Sequence, residues 1–295
     1  MHAFDRLPNF AMHLATGIPT LDGLAELQRS PLYQAHTASN QAFLDKHGPA
    51  LKDYGDYWGQ HPFKMWSRRW EYPFAGSRVM EYSAAIGRTD LKMLDAGSGV
   101  TYLPYMLVDE LAGAEVLAVD SDRSYIPMFA AINEARGDKE GNERVSFTPA
   151  LLQDLPLEAE SLDVVMCVSV LEHTDRYDTI LTEFKRVLKP GGALVLTFDL
   201  SLDGKFNLKR ADAEALLGFV TEQFEAETDV TPLLDQWGVD GTMTTDHVDK
   251  TEPELLPWKY PRIVHAVHDL AKGRGWTGGF RSKSVFCLAA RKPGV

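Results

Sequence analysis

A short apolar run that ends in an acid and a glycine-rich turn holds the first residues of the chain that could bind a ligand. Residues 94–99 read Leu-Asp-Ala-Gly-Ser-Gly, with Asp95 at the end of the run and glycine at positions 97 and 99. Glycine takes positive φ at little steric cost and lets a ligand approach the backbone closely. The pattern predicts a strand that ends at a ligand-binding turn, and then a helix that begins near Leu103 or Pro104.

The charge of Asp95 indicates which ligand this turn accepts. A dinucleotide-binding turn has a third glycine, but Tyr102 stands at that position, and a carboxylate repels a pyrophosphate. The same carboxylate can accept a charge-assisted hydrogen bond from an ammonium group. The residues therefore favour an ammonium-bearing ligand, a description that S-adenosylmethionine fits.

Further motifs follow in an order that resembles the class I S-adenosylmethionine-dependent methyltransferases of the type 11 group, over residues 91–199. A second apolar run ends in Asp120, 25 residues after Asp95. Gln153-Asp154-Leu155-Pro156 stands where the family contacts adenine, and residues 161–173 resemble the fourth strand with the Leu-Glu-His that follows it. Residues 188–196 resemble a helix end, a turn and the fifth strand.

This resemblance implies an α/β fold and a set of cofactor contacts. The expected fold is a Rossmann-like, mostly parallel seven-stranded sheet with helices on both faces and the strand order 3-2-1-4-5-7-6. The implied cofactor is S-adenosylmethionine, whose ribose hydroxyls the acid at the end of the second strand would hold. The residues expected to contact the cofactor are Asp95, Gly97, Ser98, Gly99, Asp120, Ser121, Gln153, Asp154, Leu155, Val168 and Ser169.

The segment of residues 54–74 is dense in aromatic side chains and has two interpretations. In one, Trp66 and Trp70, at helical i,i+4 spacing, pack the segment against the sheet. In the other, the segment is a lid over the cofactor and the acceptor, because methyl transfer favours a closed, dry site. The contacts predicted for the lid are Arg69 and Tyr72 for the cofactor, and Tyr57, Trp58, Trp258 and Tyr260 for the acceptor.

We expect the chain to have two parts. Residues 1–90 are predicted to be a mainly helical N-terminal extension or lid, and residues 91–295 the methyltransferase domain. An insertion at about residues 236–280 is longer than a simple connection between elements, and such long connections are often functional. The acceptor site is therefore expected between the N-terminal aromatic segment and this insertion.

His173 is the predicted catalytic residue. Its imidazole can take up a proton near neutral pH, and it follows the strand that carries the reacting end of the cofactor in this family. The alternative is a structural role, in which His173 orders its loop with Glu172 and Asp175. A general base is needed only when the acceptor must lose a proton.

Composition narrows the range of partners. A net charge of −12 and a pI near 5.2 argue against a nucleic-acid partner. The sequence has no 18-residue apolar stretch, so we expect a cytoplasmic protein with no membrane partner. Cys167 and Cys287 should lie about 10 Å apart, on either side of the fifth strand, which is too far for a disulfide. No cysteine pair has zinc spacing, so no metal is predicted, and nothing in the sequence sets an oligomeric state.

The sequence thus predicts a small-molecule methyltransferase whose acceptor is a natural product, a sugar or an amino-acid-like metabolite. Residues 167–170 read Cys-Val-Ser-Val and lack the Asn/Asp-Pro-Pro-aromatic motif of adenine and amide N-methyltransferases. Two alternatives stay open: a cofactor-binding partner or regulator without turnover, and a protein methyltransferase. The intact acids and glycines at positions 95, 97, 99 and 120 argue against loss of the cofactor site.

Overall fold

Strands and helices alternate along the chain, and the strands assemble into one sheet. The computed structural model describes residues 12–54, 62–138, 141, 143–205, 208–256, 267, 270 and 281–294. The strands are β1 (Lys92–Ala96), β2 (Glu115–Asp120), β3 (Val145–Pro149), β4 (Leu162–Val168), β5 (Leu188–Ser201), β6 (Glu225–Ala226) and β7 (Lys283–Arg291). Their order is β3-β2-β1-β4-β5-β7-β6, and only the two pairs that involve β7 are antiparallel. The predicted fold class and strand order are confirmed.

Helices cover both faces of this sheet. In the described part of the chain the α-helices are α1 (Leu21–Arg29), α2 (Pro31–His47), α3 (Arg68–Ile86), α4 (Leu103–Glu110), α5 (Ile126–Arg136), α6 (Tyr177–Val187), α7 (Arg210–Gln223) and α8 (Thr245–Thr251). Alternate residues of β4 point to opposite faces, so that Val164 and Met166 join one apolar cluster while Val165 and Cys167 join the other. Helices α2 to α5 contribute to the first cluster, and α6 and α7 contribute to the second.

Helix α6 and strand β5 show how sequence pattern becomes local structure. The buried side chains of α6 repeat at helical spacing and form one apolar face: Ile180, Leu181, Phe184 and Val187. The predicted turn at Pro190-Gly191-Gly192 is an irregularity inside β5, because Leu162 pairs with Leu188 while Val164 pairs with Ala193. The strand thus starts earlier than its apolar run.

The residues before β1 pack into the same core as the sheet. Helix α3 lies against β4, β5 and β7, and nearly all of its side chains are buried. Trp66 and Trp70 belong to the apolar cluster that also contains Met93 and Val164 of the sheet. The backbone N–H of Trp66 donates to the carbonyl of Leu255 at 3.0 Å. This confirms the packing role predicted for the two tryptophan rings, while the division of the chain near residue 90 stays a prediction.

Both cysteines are free and buried. Cys167 in β4 and Cys287 in β7 belong to opposite faces of the sheet, and β5 lies between their strands. The prediction that they form no disulfide is confirmed. No helix within the described ranges is long and apolar enough to span a bilayer.

Removing a core tryptophan should show that the N-terminal segment stabilises the sheet domain. Trp66 is 2% exposed, so Trp66→Ala should lower the free energy of unfolding by about 3–5 kcal/mol through lost burial and a cavity. Ile86, at the end of α3, is 38% exposed, and Ile86→Ala should cost about 1 kcal/mol or less. Urea denaturation measures both, and equal small losses would contradict a shared core.

Candidate active site

A cleft of about 530 Å³ opens at the carboxyl ends of the parallel strands β1, β2 and β4. This is the edge at which open α/β sheets bind ligands, and the volume lies in the range of sites that bind small molecules and cofactors. The structure brings seven of the predicted site residues together in the cleft wall: Gly97, Asp120, Ser121, Gln153, Val168, Ser169 and His173. The wall also contains residues that sequence reasoning did not select, among them Arg68, Thr174 and Arg176.

The glycine turn after β1 has the backbone conformation that the sequence predicts. Gly97 has φ of +70° and Gly99 has φ of +50°. A Cβ atom on Gly97 would lie 2.4 Å from Cγ2 of Val170, so the turn after β4 packs directly against the bare backbone. The N–H groups of Gly97 and Ser98 donate to the carbonyl of Val119 at 2.7 and 3.1 Å, which fixes the turn against β2. Positive φ and this contact together require glycine at position 97.

Two carboxylates stand at the ends of β1 and β2. The side chain of Asp120 accepts from the N–H of Gly99 at 3.2 Å and from that of Asp122 at 3.1 Å, so its orientation is set by the backbone. Asp95 is 5% exposed and accepts no hydrogen bond from a described residue. Burial, and then the charge of Asp120, raise the pKa of Asp95 to about 7. A cationic ligand group would therefore be favoured beside Asp95.

The remaining predicted cofactor residues lie around the cleft without forming its wall. Asp95, Ser98 and Gly99 flank Gly97 in the same turn but are not part of the cleft wall. Leu155 is buried and its N–H donates to Oε1 of Glu183 at 2.8 Å, whereas Asp154 is exposed. The acceptor contacts predicted at Tyr57, Trp58, Trp258 and Tyr260 fall outside the described residues.

A buried carboxylate on α3 organises one wall of the cleft. Glu71 is fully buried, and its Oε1 accepts from the hydroxyls of Ser169 at 2.5 Å and Thr197 at 2.6 Å. Its other oxygen pairs with the guanidinium of Arg68, which also donates to Oγ of Ser169 at 2.6 Å. Burial alone would raise the pKa of Glu71, but Arg68 and the hydroxyl donors outweigh it, and the pKa is lowered.

This hydrogen-bonded group holds Ser169 in an uncommon conformation. Ser169 has φ of +50°, which side-chain-bearing residues adopt rarely. Its N–H donates to the carbonyl of Thr197 at 2.9 Å, and its hydroxyl is held between Arg68 and Glu71. Strained backbone of this kind persists where its surroundings fix it, and it clusters at functional sites. Several buried polar groups therefore fix the backbone conformation at the end of β4.

The two residues predicted from α3 to contact the cofactor face elsewhere. Arg69 forms a bidentate pair with Glu252 at 2.9 and 3.1 Å, and Tyr72 is buried with its ring edge-on to that of Tyr102. Neither lines the cleft, whereas Arg68 does. Arg68 and Arg69 face different surroundings because adjacent side chains on an α-helix point about 100° apart. The spacing of Arg68 and Glu71, three residues apart on one helix face, is the signal that could have found this wall.

His173 ends a short 3₁₀ turn, Leu171–His173, directly after β4. The imidazole lines the cleft, and 67% of its side chain is exposed. Desolvation by the surrounding protein lowers the pKa of His173. The charge of Asp199 opposes this shift, and the charge of Lys283 adds to it. Its predicted position beside the cleft is thus observed, while its catalytic role stays a prediction. Within the described ranges no three or more His, Cys, Asp or Glu residues are placed to hold a metal ion.

Comparison with known proteins agrees with this geometry. Residues 94–196 match the family model described as a methyltransferase domain. The domain is a class I S-adenosylmethionine-dependent methyltransferase. A solved structure from Galdieria sulphuraria, provisionally assigned as a sarcosine dimethylglycine methyltransferase, has the same fold. Its TM-score is 0.51 at 15% identity over 74% of this chain and 85% of that one.

Two relatives of this methyltransferase domain differ in how much of their length the match covers. Methyltransferase GfsG of Streptomyces halstedii is 29% identical over 217 residues, which are 72% of this chain and 74% of the relative. The tRNA U34 carboxymethyltransferase of Cellvibrio japonicus is 30% identical over 154 residues, which are 51% of this chain and 44% of the relative. The chain thus spans about half the length of the tRNA-modifying relatives that it matches.

The cleft fits the cofactor of this family, S-adenosylmethionine. Asp120 is oriented by two backbone amides and can accept hydrogen bonds from ribose hydroxyls. Asp95 is a buried acid next to the turn of Gly97 and suits an ammonium group, while Arg68 in the cleft wall suits a carboxylate. An amino-acid moiety and a ribose are thus both matched by side chains of the chain itself.

Adjacent arginines on α3 allow a matched test of this assignment. Arg68→Met and Arg69→Met each remove a buried guanidinium with a carboxylate partner, so both should lower the melting temperature. Only Arg68→Met should also weaken S-adenosylhomocysteine binding, by about 10-fold or more, because a charge-assisted hydrogen bond contributes about 1.5–3 kcal/mol. Calorimetry measures both affinities, and an equal loss in the two variants would contradict a cofactor role for Arg68.

Proposed function

We propose that the protein transfers a methyl group from S-adenosylmethionine to a small-molecule acceptor. The observation that carries this is the cleft at the strand ends, where Asp120, the turn of Gly97 and the wall of Arg68 and Ser169 converge. S-adenosylmethionine supplies a methyl group made electrophilic by its positively charged sulfur. The chain's contribution is to align the two reactants and to exclude water, since in-line displacement needs little covalent help from the protein.

Charge and site size favour a small molecule over tRNA as the acceptor. Several relatives are named tRNA U34 carboxymethyltransferases, but they share only about half of their length with this chain. A net charge of −12 opposes the phosphate backbone of a nucleic acid, which binds through clustered lysine and arginine. The alignment with methyltransferase GfsG covers about three quarters of both chains, more than the alignments with the tRNA-modifying relatives do.

The residues of the cleft have separable tasks under this proposal. Asp95 and Asp120 hold the polar ends of the cofactor, and Arg68 neutralises its carboxylate. Ser169, locked by Glu71 and Thr197, presents backbone at the end of β4 beside the reacting centre. His173 stands in the wall with an exposed ring and is placed to meet the acceptor.

The proposal is tested by following the methyl group. The full chain is incubated with methyl-labelled S-adenosylmethionine and, separately, with pools of metabolites, peptides and unmodified tRNA. Label should enter the metabolite pool alone, and Asp120→Ala should abolish its transfer at limiting cofactor. Label in tRNA or peptide would overturn the small-molecule acceptor. Tight binding of S-adenosylhomocysteine with no transfer to any pool would instead indicate a binding partner or regulator without turnover.

The buried acid at the end of β1 should make cofactor binding depend on pH. Because the pKa of Asp95 is raised to about 7, the carboxyl is largely protonated below that pH and attracts an ammonium group weakly. S-adenosylhomocysteine should therefore bind about tenfold more tightly near pH 7.5 than near pH 5.5. Asp95→Asn should bind weakly at both pH values. A pH dependence that persists in Asp95→Asn would assign the titration to another group.

A further inference from the structure

A buried carboxyl group beside the cleft has no hydrogen-bonding partner among the residues that the structure describes. Glu172 is the middle residue of the turn after β4, and its side chain is 1% exposed. Neither carboxylate oxygen makes a hydrogen bond to another described residue. Buried acids are otherwise paired or hydrogen-bonded, because desolvating a charge without compensation costs several kcal/mol. Glu172 therefore has hydrogen-bonding capacity that a neighbouring group can use.

The surrounding charges confirm that Glu172 is the unmatched member of its group. Three acids lie close together at this edge: Glu172 after β4, Asp199 in β5 and Glu71 on α3. Glu71 pairs with Arg68, and Asp199 pairs with Nζ of Lys283 at 2.7 Å. The titratable groups that face Glu172 are His173, Asp199, Glu71, Arg68 and Cys167. Burial, and next the charge of Asp199, raise the pKa of Glu172 to about 8. The acid thus gains or loses its proton within the working range of an enzyme.

The nearest group that can share this proton is the imidazole of His173. Its Nε2 lies 3.9 Å from Oε1 of Glu172, and its ring is exposed in the cleft wall. The charged groups that face His173 are Asp199, Lys283, Arg68 and Arg281. The arrangement is a buried acid behind an exposed base, the geometry by which a carboxylate orients an imidazole for proton transfer. Such contacts are often long before substrate binds and shorten in the complex.

We propose that Glu172 is a positioning residue for His173, and that the acceptor is a compound whose O–H or N–H proton leaves during methyl transfer. This rests on the proposed function and specifies its acceptor class. With Glu172 ionised, Nε2–H of His173 would donate to the carboxylate, and the unprotonated Nδ1 is left as the base. The carboxylate then stabilises the imidazolium that forms.

The step balances with the components already named. The acceptor's O–H or N–H proton passes to Nδ1 of His173, and the electron pair of that heteroatom forms the new bond to the methyl carbon. The carbon–sulfur bond breaks, and its electron pair stays on sulfur, which becomes a neutral thioether. The proton on the Glu172–His173 pair is afterwards released to solvent. No oxidant, reductant or metal ion takes part in this balance.

The pair also sets the direction of the pH dependence. Below about pH 8 Glu172 is protonated and cannot accept from Nε2–H, so turnover should rise as the pH increases through about 8. In Glu172→Gln this dependence should disappear, and the remaining acidic limb should follow the imidazole alone, whose pKa is lowered from its usual value. A purely structural role for Glu172 would leave the shape of the profile unchanged.

The test uses the full chain, S-adenosylhomocysteine as the bound probe, and histidine labelled with ¹³C. NMR follows the His173 ring through a pH titration, and His173→Gln identifies its signal. In wild type the signal should show an inflection near pH 8 as Glu172 ionises, and Glu172→Gln should remove it. Asp163→Asn is the matched control, because Asp163 is a buried acid at the opposite end of β4 that pairs with Lys189 and Arg88. This control should keep the inflection.

A second arm measures turnover with the acceptor that the label assay identifies. Glu172→Gln should lower kcat by about 10²-fold, with unchanged affinity for S-adenosylhomocysteine. Its melting temperature should stay near that of wild type, whereas Asp163→Asn, which loses two ion pairs, should melt lower and keep its kcat. An identical His173 titration in wild type and Glu172→Gln would overturn the pairing. Methylation at a sulfur atom, or at an acceptor position that carried no proton, would overturn the acceptor class. Failure of S-adenosylhomocysteine to bind would count against the proposed function instead.

Discussion

The site depends on one buried interaction, the carboxylate of Glu71 held by three donors from three parts of the chain. Arg68 comes from the same helix, Ser169 from the end of β4, and Thr197 from the end of β5. A carboxylate in this position is stable only while its donors are in place, because burial without them would force it to take up a proton. The interaction therefore ties α3 to the reactive edge of the sheet and fixes the backbone of Ser169 at the same time.

Electrostatic balance at the strand ends follows from the same constraint. The fold collects acids where parallel strands finish, at Asp95, Asp120, Glu172 and Asp199. Asp199 is neutralised by Lys283 from the antiparallel strand β7, whereas Asp95 and Glu172 have no described partner. Burial raises the pKa values of both acids, and each lies beside a residue that lines the cleft. The acids in ion pairs, Glu71 and Asp199, thus hold the elements together, whereas Asp95 and Glu172 can still bind another group.

The elements predicted best were those whose cause is local in sequence. Strand ends, the positive φ of Gly97 and the helix at Leu103 follow from apolar runs, glycine and proline, and the strand order follows from the resemblance of the motifs. Sequence reasoning missed Glu71 because its partners Ser169 and Thr197 lie 98 and 126 residues away. It also chose Arg69 over Arg68, a difference of one residue that depends on where helix α3 begins relative to the sheet.

Arg68 and Arg69 are adjacent on α3 but have different partners. Arg68 lines the cleft, while Arg69 pairs with Glu252, which ends α8 and lies inside the insertion predicted at about residues 236–280. One rigid helix thus presents two neighbouring positions to two different tasks, separated by about 100° of rotation. Under the proposed function, position 68 faces the methyl donor, whereas positions 69 and 252 lie where the acceptor is expected, so a change of acceptor should be accompanied by changes at positions 69 and 252 together and not at position 68.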